Sequence, residues 1–248
     1  MMKNNDEILK SHLADLSERA DNRHYIAVSE FLSLDEQSTA VNQKYRSNYT
    51  LYGGYENAER KIIAFGNDIE ENMLHIVCIE IKPQQQKFAD ALNHRDFLGS
   101  LMNLGINRNT LGDIVIKNNT GYLFCLESIS EYIVSNLTKI KHTSVKCRIM
   151  VKAPDMINEL PEEEEIIVSS LRTDAVICAV YKLSRNQASR LIQQEKVFIN
   201  SKSAYKESLQ LKENDRISVR GYGKFILSSS DLRTTKKGKT IIGVRIYK

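Results

Sequence analysis

Residues 169–200 read SSLRTDAVICAVYKLSRNQASRLIQQEKVFIN. A short helix follows Ser169-Ser170, with Leu171, Ala175, Cys178 and Ala179 spaced for one inward face. After Lys182-Leu183, the stretch Ser184-Arg185-Asn186-Gln187 is a capping box. The Ser184 hydroxyl and the Gln187 side chain there satisfy orphan amides at a helix start. That second helix turns Ala188, Leu191 and Ile192 inward and leaves Arg185 and Arg190 to face solvent or phosphate. Residues 196–200 then read as a short strand, Lys202 and Lys206 follow, and residues 215–220 make another. Two short helices followed by short basic strands are compact enough to lay a helix face along an RNA groove. A helix start that also bears Arg185 suits phosphate through dipole and side chain together. Ser184 and Gln187 cap the helix in any case; capping alone leaves unexplained why Arg172, Arg185, Arg190, Lys196 and Lys202 converge on one module.

The charge follows the same segment. Residues 171–248 hold 17 Lys+Arg against 6 Asp+Glu, a net of +11, while residues 1–170 hold 18 against 25, a net of −7. From Arg216 onward the only acid is Asp231, set against Arg220, Lys224, Arg233, Lys236, Lys237, Lys239, Arg245 and Lys248. Each cation docked on a phosphate releases condensed counterions, so this asymmetry points to nucleic acid; the plainer alternative is a solvated face that keeps the protein soluble.

Composition narrows the class. At 248 residues, 42% apolar and 27% charged, the chain reads as two or three small soluble domains. No apolar run reaches membrane-spanning length, and the N-terminal MMKNNDEILK has no apolar core of a signal peptide, so a cytoplasmic protein without membrane partners is expected. Cys78, Cys125, Cys147 and Cys178 are far apart, without a C-x-x-C pair or a histidine at zinc spacing. They read as buried reduced thiols, and no metal or cofactor is expected. His12, His24, His75, His94 and His142 are equally dispersed.

Residues 6–20 form an amphipathic helix with Ile8, Leu9, Leu13, Leu16 and Ala20 on one face. A second helix follows Ser33, Tyr45, Tyr49, Tyr52 and Tyr55 cluster around Gly53-Gly54, and residues 60–65 are a strand. The tyrosines could stack on bases, but local packing is the commoner use. Next come a strand over 74–81, a helix from the cap Asn93 to Leu104 with Gly105 behind it, and a hairpin of 113–116 with 122–126 around Asn118-Asn119-Thr120-Gly121. A helix capped by Ser128 and a strand over 145–151 complete the order β-α-β-β-α-β of a ferredoxin-like fold, without the aromatic signature of the common RNA-binding version. Pro154, Pro161 and the run Glu162–Glu165 read as a boundary, with the acids an exposed linker or helix start. The expected fold class is α+β. It comprises a small N-terminal α+β domain (1–73), a ferredoxin-like domain (74–161) and a C-terminal RNA-binding module (162–248).

The pattern S-L-R-x-D … L-S-R-x-x-A-x-x-L-I … V-x-I-N, from Ser170 to about Arg220, resembles the S4 RNA-binding domain, with Thr173 where such domains commonly place Leu. Three further stretches resemble the bacterial YlmH family and extend the likeness over nearly the whole chain. They are G-G-Y-x-x-A-E-R from Gly53, H-R-D-F-L-G-S-L-M-N-L-G-I-x-R-x-x-x-G-D-I from His94, and R-G-Y-G-K-F … T-K-K-G-K from Arg220. The resemblance implies an accessory RNA-binding middle domain. It also implies an S4 domain that, like the shorter RqcP type, sits on the large ribosomal subunit near ribosomal RNA and the P-site tRNA. The implied role is ribosome-associated quality control, in which obstructed nascent chains are extended with alanine; the family name is also associated with cell division.

Enzymatic readings find little footing. The G-R-L-D motif of S4-bearing pseudouridine synthases is absent, and none of the 11 glycines builds a methyltransferase loop. His94-Arg95-Asp96 has Leu101 where a kinase catalytic loop needs Asn, and reads instead as a first helical turn in which Asp96 favours the dipole. The alternatives are an accessory to RNA-modifying enzymes and a cell-division interaction protein. A non-catalytic, monomeric RNA binder without a small-molecule substrate is expected. Its RNA contacts are expected from Arg172, Asp174, Lys182, Ser184, Arg185, Gln187, Arg190, Lys196, Asn200, Lys202, Arg220, Lys224, Lys236 and Lys237.

Overall fold

The structure, a computed structural model, describes residues 2–235 and 238–247; the expected RNA contacts Lys236 and Lys237 lie outside the described residues. The chain divides into two units, Met1–Asn158 and Glu159–Lys248. The expected N-terminal and ferredoxin-like segments fall together in the first.

The first unit opens with α1 (Met2–Arg23). Leu13, Leu16, Ser17 and Ala20 are buried at i, i+3, i+4 and i+7, whereas Ile8, expected on that face, is 61% exposed. Strand β1 (Ala27–Val28), helix α2 (Leu34–Val41) and strands β2 (Tyr49–Tyr52) and β3 (Ile62–Phe65) follow. A Ser33–Glu36 capping box starts α2, which is why the helix begins there. The sheet order is β1-β3-β2, antiparallel throughout. The strand expected from Arg60 starts only at Ile62, because Arg60 is drawn off into bonds described below. All four β3 residues are buried: Ile63 and Phe65 face a core with α1, while Ile62 and Ala64 face one with Phe31 and Leu74. Each large side chain so buried contributes roughly 1.5–3 kcal/mol. The four tyrosines do not form one cluster. Tyr45 packs edge-on against both Tyr49 and Phe65, the Tyr52 hydroxyl donates to Glu71, and Tyr55 stacks on Phe124.

The rest of this unit is β4 (Ile76–Pro83), α3 (His94–Asn103), β5 (Leu111–Lys117), β6 (Thr120–Leu126), α4 (Glu127–Asn136), β7 (Lys139–Ile140) and β8 (Thr143–Met150). The sheet order β5-β6-β4-β8-β7, antiparallel at every step, is the split β-α-β arrangement expected, with the short β7 added at one edge. Asn118 and Asn119 both have positive φ, 49° and 59°, as a two-residue type I′ hairpin turn requires. Helices α3 and α4 bury Phe97, Leu101 and Ile133 against one sheet face, with Ile79, Ile81, Leu123 and Val145 beneath. A Cβ at Gly121 would lie 2.4 Å from Phe97, so glycine lets the helix approach the strand. Asn93 and Asp96 form a capping box at the start of α3, which places His94-Arg95-Asp96 in the first helical turn. The expected cap Ser128 is instead inside α4: the helix begins at Glu127, behind Leu126, without a side-chain cap.

The second unit runs β9 (Glu163–Val168), α5 (Thr173–Tyr181), α6 (Arg185–Gln193), β10 (Val197–Ile199), β11 (Lys202–Ser203), β12 (Arg216–Val219), β13 (Gly223–Thr234) and β14 (Thr240–Tyr247). Its sheet has the order β11-β10-β12-β13-β14-β9, antiparallel throughout. Val176, Ile177, Ala188, Leu191 and Ile192 pack on Val197, Ile217, Phe225, Leu227 and Val244. Thr173 is fully buried and its hydroxyl donates to the Leu209 carbonyl at 2.9 Å, so the departure from Leu is compensated by a hydrogen bond. The acidic run, expected as linker or helix start, is the edge strand β9. Two of its carboxylates meet cations: Glu163 takes Arg245 at 3.3 Å and Glu165 takes Arg233. Counted over this folded unit, residues 159–248 hold 17 Lys+Arg against 11 Asp+Glu, a net of +6 rather than the +11 of the shorter segment.

Candidate nucleic-acid interface

The helix hairpin builds the first part of the interface. Helix α5 stops at Lys182, which takes a left-handed conformation (φ 53°) and donates its amide to the Cys178 carbonyl. Ser184 then caps α6: its Oγ accepts the Gln187 amide at 3.3 Å, and Gln187 Oε1 accepts the Ser184 amide at 2.9 Å. Both side chains are therefore engaged in the cap. Lys182, Arg185 and Arg190 are exposed on this hairpin.

Beneath it lies Asp174, whose side chain is 3% exposed. Its carboxylate accepts Arg172 Nε at 2.9 Å, Arg172 Nη2 at 3.1 Å and the Ala175 amide at 2.9 Å, and lies 3.9 Å from Arg185 Nη1. Arg185 also donates to Ser169 Oγ at 3.0 Å. Burial raises the Asp174 pKa, but the Arg172 bonds and charge, the Ala175 amide and Arg185 together hold it below the ordinary aspartate value. Asp174 is thus an anchor for two guanidinium groups, out of reach of RNA itself. Arg185 is tied down rather than free, yet 59% of its side chain remains exposed.

A second group stands where β10 and β12 meet. Val197 pairs with Val219, so Lys196 and Arg220 lie side by side just beyond, and the Arg220 amide donates to the Lys196 carbonyl at 2.8 Å. The Arg220 guanidinium sits 5.7 Å above the Phe198 ring, and Lys224 Nζ 4.6 Å above Tyr247, orienting both cations. Tyr222, half-exposed in the turn that follows, contacts Tyr181 at 5.6 Å, next to Lys182. The ring contact links the two groups. Asn200 and Lys202 are elsewhere, at the opposite end of β10, roughly 10 Å away. The Asn200 side chain donates to Asp215 at 2.8 Å and accepts the Arg216 amide at 3.0 Å, locking a turn whose Asn200 and Ser201 both have positive φ. Sequence reasoning passed over Ser169 and the Tyr181–Tyr222 contact, although Tyr222 stands inside the R-G-Y-G-K-F motif.

In the first unit two of the motif stretches converge on Asp113. Its carboxylate accepts the Tyr55 hydroxyl at 2.9 Å and the amides of Glu59 and Arg60 at 2.6 and 3.1 Å. The Arg60 side chain donates to the carbonyls of Leu111 and Phe31, both at 2.9 Å. Burial and the neighbouring Arg60 charge push Arg108 down to about 10. Among the described residues no group of three or more His, Cys, Asp or Glu stands together as a metal site, and no helix is long and apolar enough to cross a membrane.

Comparison with known proteins identifies the chain's relatives. Residues 70–152 match the family model described as "Putative RNA-binding domain in YlmH". The ribosome-associated protein quality control protein P2 of Bacillus subtilis (strain 168) is 28% identical over 86% of this chain and 85% of its own length. A solved structure titled cell division protein ylmH from Streptococcus pneumoniae is 18% identical, covering 62% of this chain and 93% of its own, with a TM-score of 0.49. Residues 70–152 are thus similar to the RNA-binding domain of YlmH, and the likeness to the B. subtilis quality-control protein extends over most of the chain.

Proposed function

We propose that this chain is a non-catalytic RNA-binding protein that docks on the large ribosomal subunit, near ribosomal RNA and the P-site tRNA, and serves quality control of obstructed nascent chains. The observation that carries the reading is the pair Arg172, at the start of α5, and Arg185, at the start of α6, both drawn to buried Asp174 in the first turn of α5. An exposed guanidinium anchored from behind is positioned for a phosphate before the ligand arrives, which lowers the ordering cost of binding. The quality-control name of the B. subtilis relative supports the ribosomal setting. Within this reading Lys182, Arg185, Arg190, Lys196, Arg220 and Lys224 contact RNA. Ser184, Gln187 and Asp174 position the hairpin cations, Asn200 locks the turn after β10, and residues 1–73, 74–161 and 162–248 act as three domains of a monomer.

Sedimentation of the full chain with dissociated bacterial ribosomes tests this. The protein should follow the large subunit, and Lys182→Glu with Arg185→Glu should release it. Migration with small subunits alone, or undiminished binding by the doubly reversed variant, would overturn the reading. So would salt-insensitive binding, since each phosphate contact steepens the log–log salt dependence by about 0.7–0.9.

A further inference from the structure

In the common ferredoxin-like RNA-binding modules, bases stack on aromatic residues of the central strands. Here the corresponding part of the sheet is closed. On the face away from α3 and α4, Tyr122 and Phe124 of β6 are buried under Tyr55 and Ile157, and Tyr55 stacks on Phe124 with ring centroids 4.8 Å apart. Gly54 (φ 93°) lets the covering loop lie flat, since a Cβ there would come within 2.3 Å of Phe124.

The same face stays open toward the end where β4 finishes. Glu80 of β4 lies opposite Arg148 of β8, a matched rung bridged at 3.1 Å. The next rung is Lys82 opposite Lys146, both exposed. Like charges directly across a ladder are destabilising, so this rung does nothing for the fold on its own. Lys139 stands opposite Ser144, two residues before Lys146, and so adds a third ammonium to that face. The segment after β4 is pinned at this end: the Gln84 amide donates to the Ser144 carbonyl at 2.9 Å, and Gln86 Nε2 to the Asn118 carbonyl at 2.9 Å. It presents Phe88, a residue 80% exposed, with Lys87 Nζ 5.9 Å from the ring.

We infer that this end of the domain is a second RNA contact, which takes unpaired nucleotides: Phe88 stacks on a base while Lys82, Lys146 and Lys139 hold the adjoining phosphates. An exposed aromatic ring on a segment pinned at the same end of the sheet as a rung of like-charged lysines offers the combination single-strand binding uses, and a phosphate would relieve the Lys82–Lys146 repulsion. The inference rests on the RNA-binding reading and extends it to a surface separate from the α5–α6 hairpin.

The test uses the full chain, a labelled single-stranded RNA of about 12 nucleotides and a duplex of the same sequence. Phe88→Ala should weaken single-strand binding about tenfold with an unchanged salt slope, since stacking is worth roughly 1–3 kcal/mol per base. Lys146→Glu should weaken it at least as much and flatten the slope by about 0.7 per phosphate lost. It should leave the melting temperature unchanged or higher, because the repulsive rung becomes attractive. Wild-type affinity in both variants, with loss only in the Lys182→Glu, Arg185→Glu protein, overturns this inference and leaves the hairpin reading standing. A lower melting temperature for Lys146→Glu with unchanged affinity also overturns it. Absence of any RNA binding by the wild-type chain overturns both.

Discussion

Replacing Asp174 with Asn separates positioning from bulk charge. The side chain keeps its shape and one carbonyl oxygen, so it can still accept from the Ala175 amide or from one arm of Arg172. It loses the second arm of the fork and the negative charge facing Arg185. Removing one partner of a buried ion pair typically costs about 3–5 kcal/mol. That figure is too high here, because Arg172 and Arg185 are 35% and 59% exposed and water recovers much of their solvation. The loss of one charge-assisted bond, about 2 kcal/mol, is the better guide. For a unit of this size that corresponds to a fall in melting temperature of roughly 10 °C. The pH dependence carries a definite sign. Burial alone would raise the Asp174 pKa, but Arg172, the Ala175 amide and Arg185 depress it below the unfolded value of about 3.9. Its stabilisation is therefore complete above that value and is lost as the pH falls through the lower, folded one. Calorimetry of the full chain should show a constant gap between wild type and Asp174→Asn above about pH 5, closing below about pH 4. RNA affinity gives a second readout. The variant is more basic by one charge, so simple electrostatics predicts tighter binding, whereas loss of the anchored fork predicts weaker. Equal melting temperatures at neutral pH, or tighter RNA binding by the variant, would refute the anchoring argument.

Ser184→Ala should lower stability by about 0.5–2 kcal/mol through loss of the α6 cap, while Arg185→Ala should leave most of the stability intact and weaken large-subunit binding; denaturation and sedimentation of both variants check the division of roles, which fails if their effects are interchanged. Burial pushes the thiols of Cys78 and Cys125 up to about 12 and that of Cys147 to about 11, whereas Cys178 is only partly buried. Brief iodoacetamide treatment of the native protein at about pH 8, read by peptide mass spectrometry, should therefore modify Cys178 first, and early labelling of Cys125 would contradict the packing of the sheet.

What the sequence revealed and what it hid follow from the range of the interactions. The boxes at Asn93 and Ser184 are complete within four residues, so their helices could be placed from local chemistry. Helix α4 could not. It starts directly from strand β6 and its entry is fixed by the Glu127 amide donating to the His75 carbonyl at 2.8 Å, a partner 52 residues earlier. Four like charges in a row, as in the acidic run, repel when considered alone, which points to an exposed linker or helix start. They form a strand because β14, far along the chain, pairs with residues 163–168, and Arg233 at the end of β13 and Arg245 on β14, 68 and 82 residues from their carboxylates, lie alongside. The S-L-R-x-D pattern located Asp174 but not its role. A carboxylate two residues from an arginine reads as a surface pair until the fold brings Arg185 to its other side and buries the carboxylate.

The acidic strand also changes how the charge of the second unit is understood. Exposed ion pairs add little stability, about 0–1 kcal/mol each, so the pairing of Glu163 and Glu165 with Arg245 and Arg233 is a weak contribution to folding. Its larger effect is on the field. The sheet order β11-β10-β12-β13-β14-β9 puts these glutamates on one edge, while Lys202, Lys196 and Arg220 occupy the strands at the other. Two of the arginines that inflate the formal count are therefore neutralised locally, by partners on the neighbouring edge strand. A polyanion approaching such a unit meets less free positive charge than the formal count of arginines implies, because two of them already have carboxylate partners. The same carboxylates oppose binding through the β9 edge. Under the proposed function, these carboxylates would limit docking through the β9 edge, and the arginines anchored on Asp174 would be the cations left to meet a phosphate.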